Sequence, residues 1–422
     1  MIIHAPEITL QDDHAILWAK VELKTSVDHF PEYIWYRVPK QYQEHLTTQN
    51  DAFLVPMLLA GMYFGEDMEV KGNVSPRLAY HLEEYQHILA HRFRKKLKPV
   101  KIVIENIKPI ERNANGVGST FTGGVDSTFT LWSHLPQNQP VPEFRITHAI
   151  FLKGFDILPT EEQKYWHLFD RFKPELKRVG VELIPVETNL VSITHTRMPL
   201  PYFFGPLIAG AGMSLAGLFG RFYIPSSWSY RTLKKHSYSS DPLLDNLVST
   251  EKLKIVHHGA AYERVEKVER IADWELAHNL LWVCIDSKFR EDRWNCSRCE
   301  KCMRTMIPLY AMGKMSQFKT FEKPLKKDGD VLWWARKFSL RQNYVTETFP
   351  FVKRYKHRLI PWLRLAEILG VIRYEFIVLL PPFIKSWLRQ FGYFVNPNEA
   401  PDSYEMPSIN QIIREQYDHP SS

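Results

Sequence analysis

Two stretches of this 422-residue chain hold residue types and spacings suited to chemistry. The first is TFTGGVDSTF, Thr120 to Phe129, where Gly123 and Gly124 are followed by Val125, Asp126, Ser127 and Thr128, with an apolar run on either side. A glycine pair after a strand lets backbone N–H groups turn inward and approach an anion that a Cβ would hold off. The helix that follows offers its positive end to the same anion. Ser127 and Thr128 add hydroxyl donors, and Asp126 is of the type that holds Mg²⁺ or orients its waters. The stretch reads as a phosphate cradle, although a tight strand-to-helix turn would use the same glycines for geometry alone. A Walker A loop is excluded, because GKMS at Gly313 lacks both the upstream glycine and the following Ser or Thr.

The second stretch is CIDSKFREDRWNCSRCEKC. It contains all four cysteines of the chain, Cys284, Cys296, Cys299 and Cys302. Two successive C-x-x-C steps plus one upstream Cys supply four soft ligands, the number a tetrahedral structural Zn²⁺ requires. A redox pair would explain one C-x-x-C but not the other two thiols. Disulfides do not suit the cytoplasmic chain expected below.

TGGVDST resembles the SGGxDS[ST] signature of the PP-loop ATP pyrophosphatase superfamily, with Thr122 in place of the usual Ser. The resemblance implies that Thr122, Gly123, Gly124, Val125, Asp126, Ser127 and Thr128 hold the β,γ-phosphates of ATP, with Mg²⁺. Asp126 and Ser127 would then be the catalytic pair, and the strand end at Phe151 would lie near the adenine. With the downstream cysteines, the chain is similar to the 7-cyano-7-deazaguanine synthase family, whose CGxCxxCxxR stretch CSRCEKCMRTM resembles. Ser297 stands where that family has glycine, and the eleven residues between Cys284 and Cys296 make a longer spacer than the usual one. The resemblance covers about residues 115 to 310. It implies adenylylation of a carboxylate, amide or base carbonyl with release of pyrophosphate.

The elements that must position these residues are visible as changes of pattern. Apolar runs at 117–121, 148–152, 181–186, 222–224 and 253–256 alternate with helical stretches at 160–180 and 205–220. Such alternation predicts an α/β domain with a parallel sheet over residues 113–312, and ligands collect at the carboxyl ends of its strands. Residues 1–112 predict an α+β accessory domain, with strands in ILWAKVEL, EYIWYRV and PVKIVIENI. A helix is expected from a Ser75 cap and Pro76, with Leu78, Tyr80, Leu82, Tyr85 and Leu89 on its apolar face. Residues 313–422 predict a helical, aromatic tail whose last part, NPNEAPDSYEMPSINQ, is polar, proline-rich and loosely ordered.

Between the motifs, Arg231, Lys234, Lys235 and His236 suit either a lid over an α-phosphate or an exposed basic loop. Asp241 and Asp245 suit either cation or substrate contacts or an Asp-Pro turn. AYERVEKVERIAD reads as a charged helix with Val265, Val268 and Ile271 inward, and His257 and His258 read as strand-end residues.

Hydrophobic content of 45% with 24% charge is that of a globular chain with a sizeable core. No basic region followed by an apolar run opens the sequence. No uncharged apolar stretch reaches the ~20 residues needed to cross a bilayer. A cytoplasmic protein without a membrane span is expected. From Gly313 onward, 17 basic against 11 acidic residues leave +6 of the formal +7. That excess suits nucleic acid, anionic lipid, an acidic partner or a solvated helical surface. With the cysteines committed to metal, none is left for sulfur transfer or for releasing ammonia from an amide. What the resemblance then implies is a C–N ligase type reaction. A small-molecule or peptide acid is activated as its adenylate and attacked by an amine or ammonia from outside. A tRNA- or nucleobase-modifying enzyme and a non-enzymatic ATP-binding scaffold are the alternatives, and a homo-oligomer is possible.

Overall fold

The apolar runs of the first 260 residues become strands of one sheet. In the computed structural model, which describes residues 1–94, 96–111, 113–155, 157–196, 202–233, 238–284, 294–336, 342–381 and 384, the strands in chain order are β1 (Ile2–Ile3), β2 (Glu7–Gln11), β3 (His14–Glu22), β4 (Tyr33–Pro39), β5 (Met68–Val74), β6 (Ile102–Ile107), β7 (Gly116–Thr120), β8 (His148–Lys153), β9 (Glu182–Thr188), β10 (Phe219–Pro225) and β11 (Lys254–His258). The helices are α1 (Asp51–Phe64), α2 (Pro76–Arg92), α3 (Val125–Ser133), α4 (Glu162–Arg178), α5 (Phe204–Ser214), α6 (Tyr230–Leu233), α7 (Leu244–Leu247), α8 (Arg264–Ile271), α9 (Glu275–Leu280), α10 (Glu300–Ala311), α11 (Gln342–Tyr355) and α12 (Ile360–Leu379). Two units emerge among the described residues: 1–122 with 130–260, and 123–129 with those from 261 to 384.

The first unit is α/β, with an eleven-stranded sheet ordered β11-β10-β7-β8-β9-β4-β3-β1-β5-β6 and β2 paired to β3. The run from β11 to β9 is parallel throughout. Its strands are apolar along most of their length because both faces are covered. β7 lies between β8 and β10, so the strand order changes direction at β7, where open α/β sheets form a crevice. On β8, Ile150 and Leu152 enter the main apolar core. Phe151 points the other way and stacks on Tyr165 of α4 at 4.9 Å.

An accessory domain ending near residue 112 is the expectation from sequence, but here the strands of residues 1–112 share a sheet and a core with those of 113–260. β4 pairs antiparallel with β9 at Tyr36–Thr188 and Arg37–Glu187. Asn189 extends the seam, accepting from Trp35 N at 3.0 Å and donating to Tyr33 O at 2.7 Å. The seam removes an open edge from a strand too apolar to face water. α1 is apolar on every side and buried, so it has no amphipathic period to detect.

α2 begins at Pro76 after Ser75, as expected, but the Ser75 hydroxyl donates to Asp51 rather than capping the helix. Leu78, Leu82, Tyr85 and Leu89 are buried, whereas Tyr80 is 79% exposed. Tyr80 stands two residues from Leu78, about 200° around the helix, so it cannot share that face.

The second unit is helical. α10 follows the cysteine-rich stretch, and the tail supplies α11 and α12. α12 buries Leu363 and Ala366 and leaves Trp362, Leu365, Ile368 and Ile372 exposed. No described helix is long and apolar enough to cross a membrane. Lys234, Lys235, His236 and the stretch 396–411 lie outside the described residues.

Candidate functional site

β7 ends at Thr120 and α3 begins at Val125, so the chain turns over four residues. Gly123 makes the turn with φ of 72°, a left-handed conformation that L side chains rarely adopt. Thr128 N donates to Gly124 O at 2.9 Å, and the Ser127 hydroxyl donates to the same carbonyl at 3.2 Å. Val125 is wholly buried and anchors the start of α3. The Thr128 hydroxyl is also buried and has no hydrogen-bond partner among the described residues. Thr122 is half-buried at the entry to the turn.

Asp126 is not a surface residue waiting for a cation. Its Oδ2 accepts from Arg264 Nη1 at 2.7 Å and its Oδ1 from Lys267 Nζ at 2.9 Å. Burial acts to raise its pKa, but the Lys267 ammonium and the Arg264 guanidinium outweigh burial and hold it at about 2. Both cations are themselves nearly buried, Arg264 at 9% and Lys267 at 1% exposure. They come from α8, whose Val265, Val268 and Ile271 are buried as the sequence suggests. Arg264 and Lys267 are what sequence reasoning missed, since the stretch reads only as a charged helix with its valines and isoleucine inward. The signal was present. At about 100° per residue, Arg264 and Lys267 flank the same arc as Val268 and Ile271.

Two acids sit at the start of α8. Glu263 and Glu266 form a reciprocal capping box. Behind Arg264 stands Glu347 of α11, which accepts from Arg264 N at 3.0 Å and from Arg304 Nη2 of α10 at 3.3 Å. Burial raises the Glu347 pKa, against the opposing pull of Arg304.

The four cysteines do come together. Their sulfurs all lie within 4.8 Å of one another, and Cys296 and Cys302 are 3.9 Å apart. A tetrahedral centre with bonds of ~2.3 Å would set its sulfurs ~3.8 Å apart. Backbone N–H groups already point at the sulfurs: Cys299 N at Cys296 Sγ, 3.2 Å, and Cys302 N at Cys299 Sγ, 3.5 Å. Hydrogen bonding with Cys284 draws the Cys296 thiol far below its usual pKa and pushes Cys299 and Cys302 above theirs. A bound dication would hold all four as thiolates. The cluster is an arrangement of four soft ligands that could hold a metal ion.

Ser297, inside the knuckle, has φ of 56°. This left-handed conformation, which favours glycine, is met here by a serine. Its hydroxyl accepts from Lys323 N at 2.9 Å and donates to Asn295 O at 3.3 Å. The knuckle is also tied to the glycine turn: Trp282 N donates to Gly123 O at 2.8 Å, and Val283 N to Asn295 Oδ1 at 2.8 Å.

The other expected site residues have surroundings of their own. Phe151 is 1% exposed, its ring is packed against α4, and its carbonyl accepts the Tyr165 hydroxyl at 2.8 Å. Asp241 accepts from Leu243 N and Leu244 N, both at 2.8 Å, and pairs with Arg92, so it serves as a turn starter. Asp245 is buried against His257 Nδ1 at 2.7 Å and Ser240 Oγ at 2.8 Å. His257 and His258 close β11, and Arg231 is exposed on α6. No family model, curated protein or solved structure matches this chain.

Proposed function

We propose that this chain is an ATP-dependent enzyme that activates an acid or amide as its adenylate and passes the acyl group to an amine or ammonia. The observation that carries the reading is the Gly123 turn, left-handed and feeding a nine-residue helix directly after β7, the strand at which the parallel order reverses. Arg264 and Lys267 beside that turn add fixed positive charge where phosphate oxygens would lie. In this reading Thr122 to Thr128 would cradle the β,γ-phosphates, and Mg²⁺ would help neutralise their charge. A substrate carboxylate oxygen attacks the α-phosphorus as the bond to the β-phosphate oxygen breaks, and pyrophosphate leaves. The amine then attacks the acyl carbon, AMP leaves, and the amine's proton passes to solvent or a base. The chain's own part is to position the phosphates and exclude water.

The metal of the cysteine cluster is zinc in this reading. Four thiolates with no open position define a structural centre rather than a catalytic one. The tRNA-modifying alternative has less support. Of the tail's positives, Lys356 and Arg358 sit 3.2 Å and 3.1 Å from Asp328, and Arg354 sits 2.7 Å from Glu269, so they are partly neutralised.

The test is the product pair. Incubation with ATP, Mg²⁺ and candidate acids and amines should yield AMP and pyrophosphate. ADP with orthophosphate would remove adenylylation from consideration. Tight ATP binding without pyrophosphate release from any acid would favour the scaffold reading instead.

A further inference from the structure

α12 turns one side towards the second unit and leaves an apolar side in solvent. Leu363, Ala366 and Gly370 are buried, and the helix packs on the segment Asp328–Arg336 and on α11. At about 100° per residue, Leu365, Ile368, Ile372 and Leu379 fall on the opposite side. All four are exposed, Ile368 at 55% and Ile372 at 59%. Single apolar residues on a surface need no explanation, but a line of them along one helix marks a contact. The line also has a regular spacing. Pro361, Leu365, Ile368, Ile372, Glu375 and Leu379 follow one another at steps of 4, 3, 4, 3 and 4 residues. That alternation is the seam of a coiled coil.

The series reads the same from either end. About Gly370, position 361 mirrors 379, 365 mirrors 375 and 368 mirrors 372. A two-fold axis there would lay two copies of α12 antiparallel with each seam position opposite another. The single acid of the seam, Glu375, would then come opposite Leu365 of the second copy and beside the Arg364 that precedes it. The Arg364 side chain is 63% exposed and, within its own chain, pairs with Glu367 one turn away at 3.3 Å. Such a pair is weak, and a guanidinium has donors for a second carboxylate. A bilayer would cover the apolar residues but would bring no cation to position 375, whereas a second copy of the chain brings one. We propose that α12 is a self-association surface: two chains pack their α12 helices antiparallel about a two-fold axis near Gly370, covering Leu365, Ile368, Ile372 and Leu379, with Glu375 of each chain meeting Arg364 of the other.

Sedimentation velocity of the full chain over a range of concentrations tests this. The wild type should be a dimer that dissociates on dilution. Ile368→Glu should be a monomer with the far-UV spectrum of the wild type, because position 368 is exposed in the single chain. Arg364→Glu and Glu375→Arg should each weaken dimerisation by roughly tenfold or more, since like charges then meet. The two together should restore it. Within one helix those positions are ~16 Å apart at 1.5 Å per residue, so restoration can report only a contact between chains. A monomeric wild type would overturn the proposal, and its sedimentation with phosphatidylserine vesicles would give the face to a bilayer instead. A dimer indifferent to Ile368→Glu would overturn it too, as would a double charge reversal that associates no more tightly than the single ones.

Discussion

Ser297 shows how one residue can hold an unfavourable conformation without glycine. The left-handed region costs an ordinary residue ~1–2 kcal/mol, and its hydroxyl offsets part of that through the bonds to Lys323 N and Asn295 O. Ser297→Gly relieves the backbone but loses both bonds, so its stability should stay within ~1 kcal/mol of wild type. Ser297→Ala loses the bonds and keeps the strain, and should cost ~1–3 kcal/mol. Urea unfolding of the two variants makes the comparison. Equal midpoints would mean that the backbone at 297 carries no cost. Asp126 has the same lesson at this scale. Its type and place at the start of α3 were legible, but its partners, 138 and 141 residues away, were not.

At the scale of elements, the cysteine knuckle and the glycine turn form one mechanical piece. Trp282, two residues before Cys284, holds the Gly123 carbonyl. α10 starts at the cysteines, with Cys299 as its cap, and carries Arg304, which reaches Arg264 through Glu347. Metal occupancy should therefore be felt at the Gly123 turn. Purified protein should contain one zinc per chain. Its removal by a strong chelator, followed by dialysis, should lower the melting temperature sharply, because structural zinc contributes on the order of 10 kcal/mol. If the turn cradles phosphates as proposed, ATP binding should be lost with it. Cys299→Ser should give insoluble protein. A metal-free chain that melts and binds ATP as the metal-bound chain does would separate the cluster from both stability and the turn. The spacing of the cysteines made the cluster legible. Its link to the turn was not, because it runs through backbone groups that any residue could supply.

For the molecule as a whole, the sheet of the first unit decides what can be removed. A chain beginning at residue 113 would lose β4, leaving β9 with an open apolar edge, and would lose α1 from its place beside α5. Such edges pair with other chains. The truncated chain should be found in the insoluble fraction, and a soluble monomer would show that residues 1–112 are dispensable. Sequence by itself determined the five parallel strands, the turn at Gly123 and the four-cysteine cluster. Each depends on neighbours close in the chain: an apolar run, a glycine pair, a C-x-x-C step. It did not determine that Arg37 meets Glu187 across 150 residues, or that two lysine- and arginine-type charges would be buried on Asp126. Those pairings arise only when distant segments close together and exclude water. A buried charge must then find a partner, wherever in the chain that partner lies.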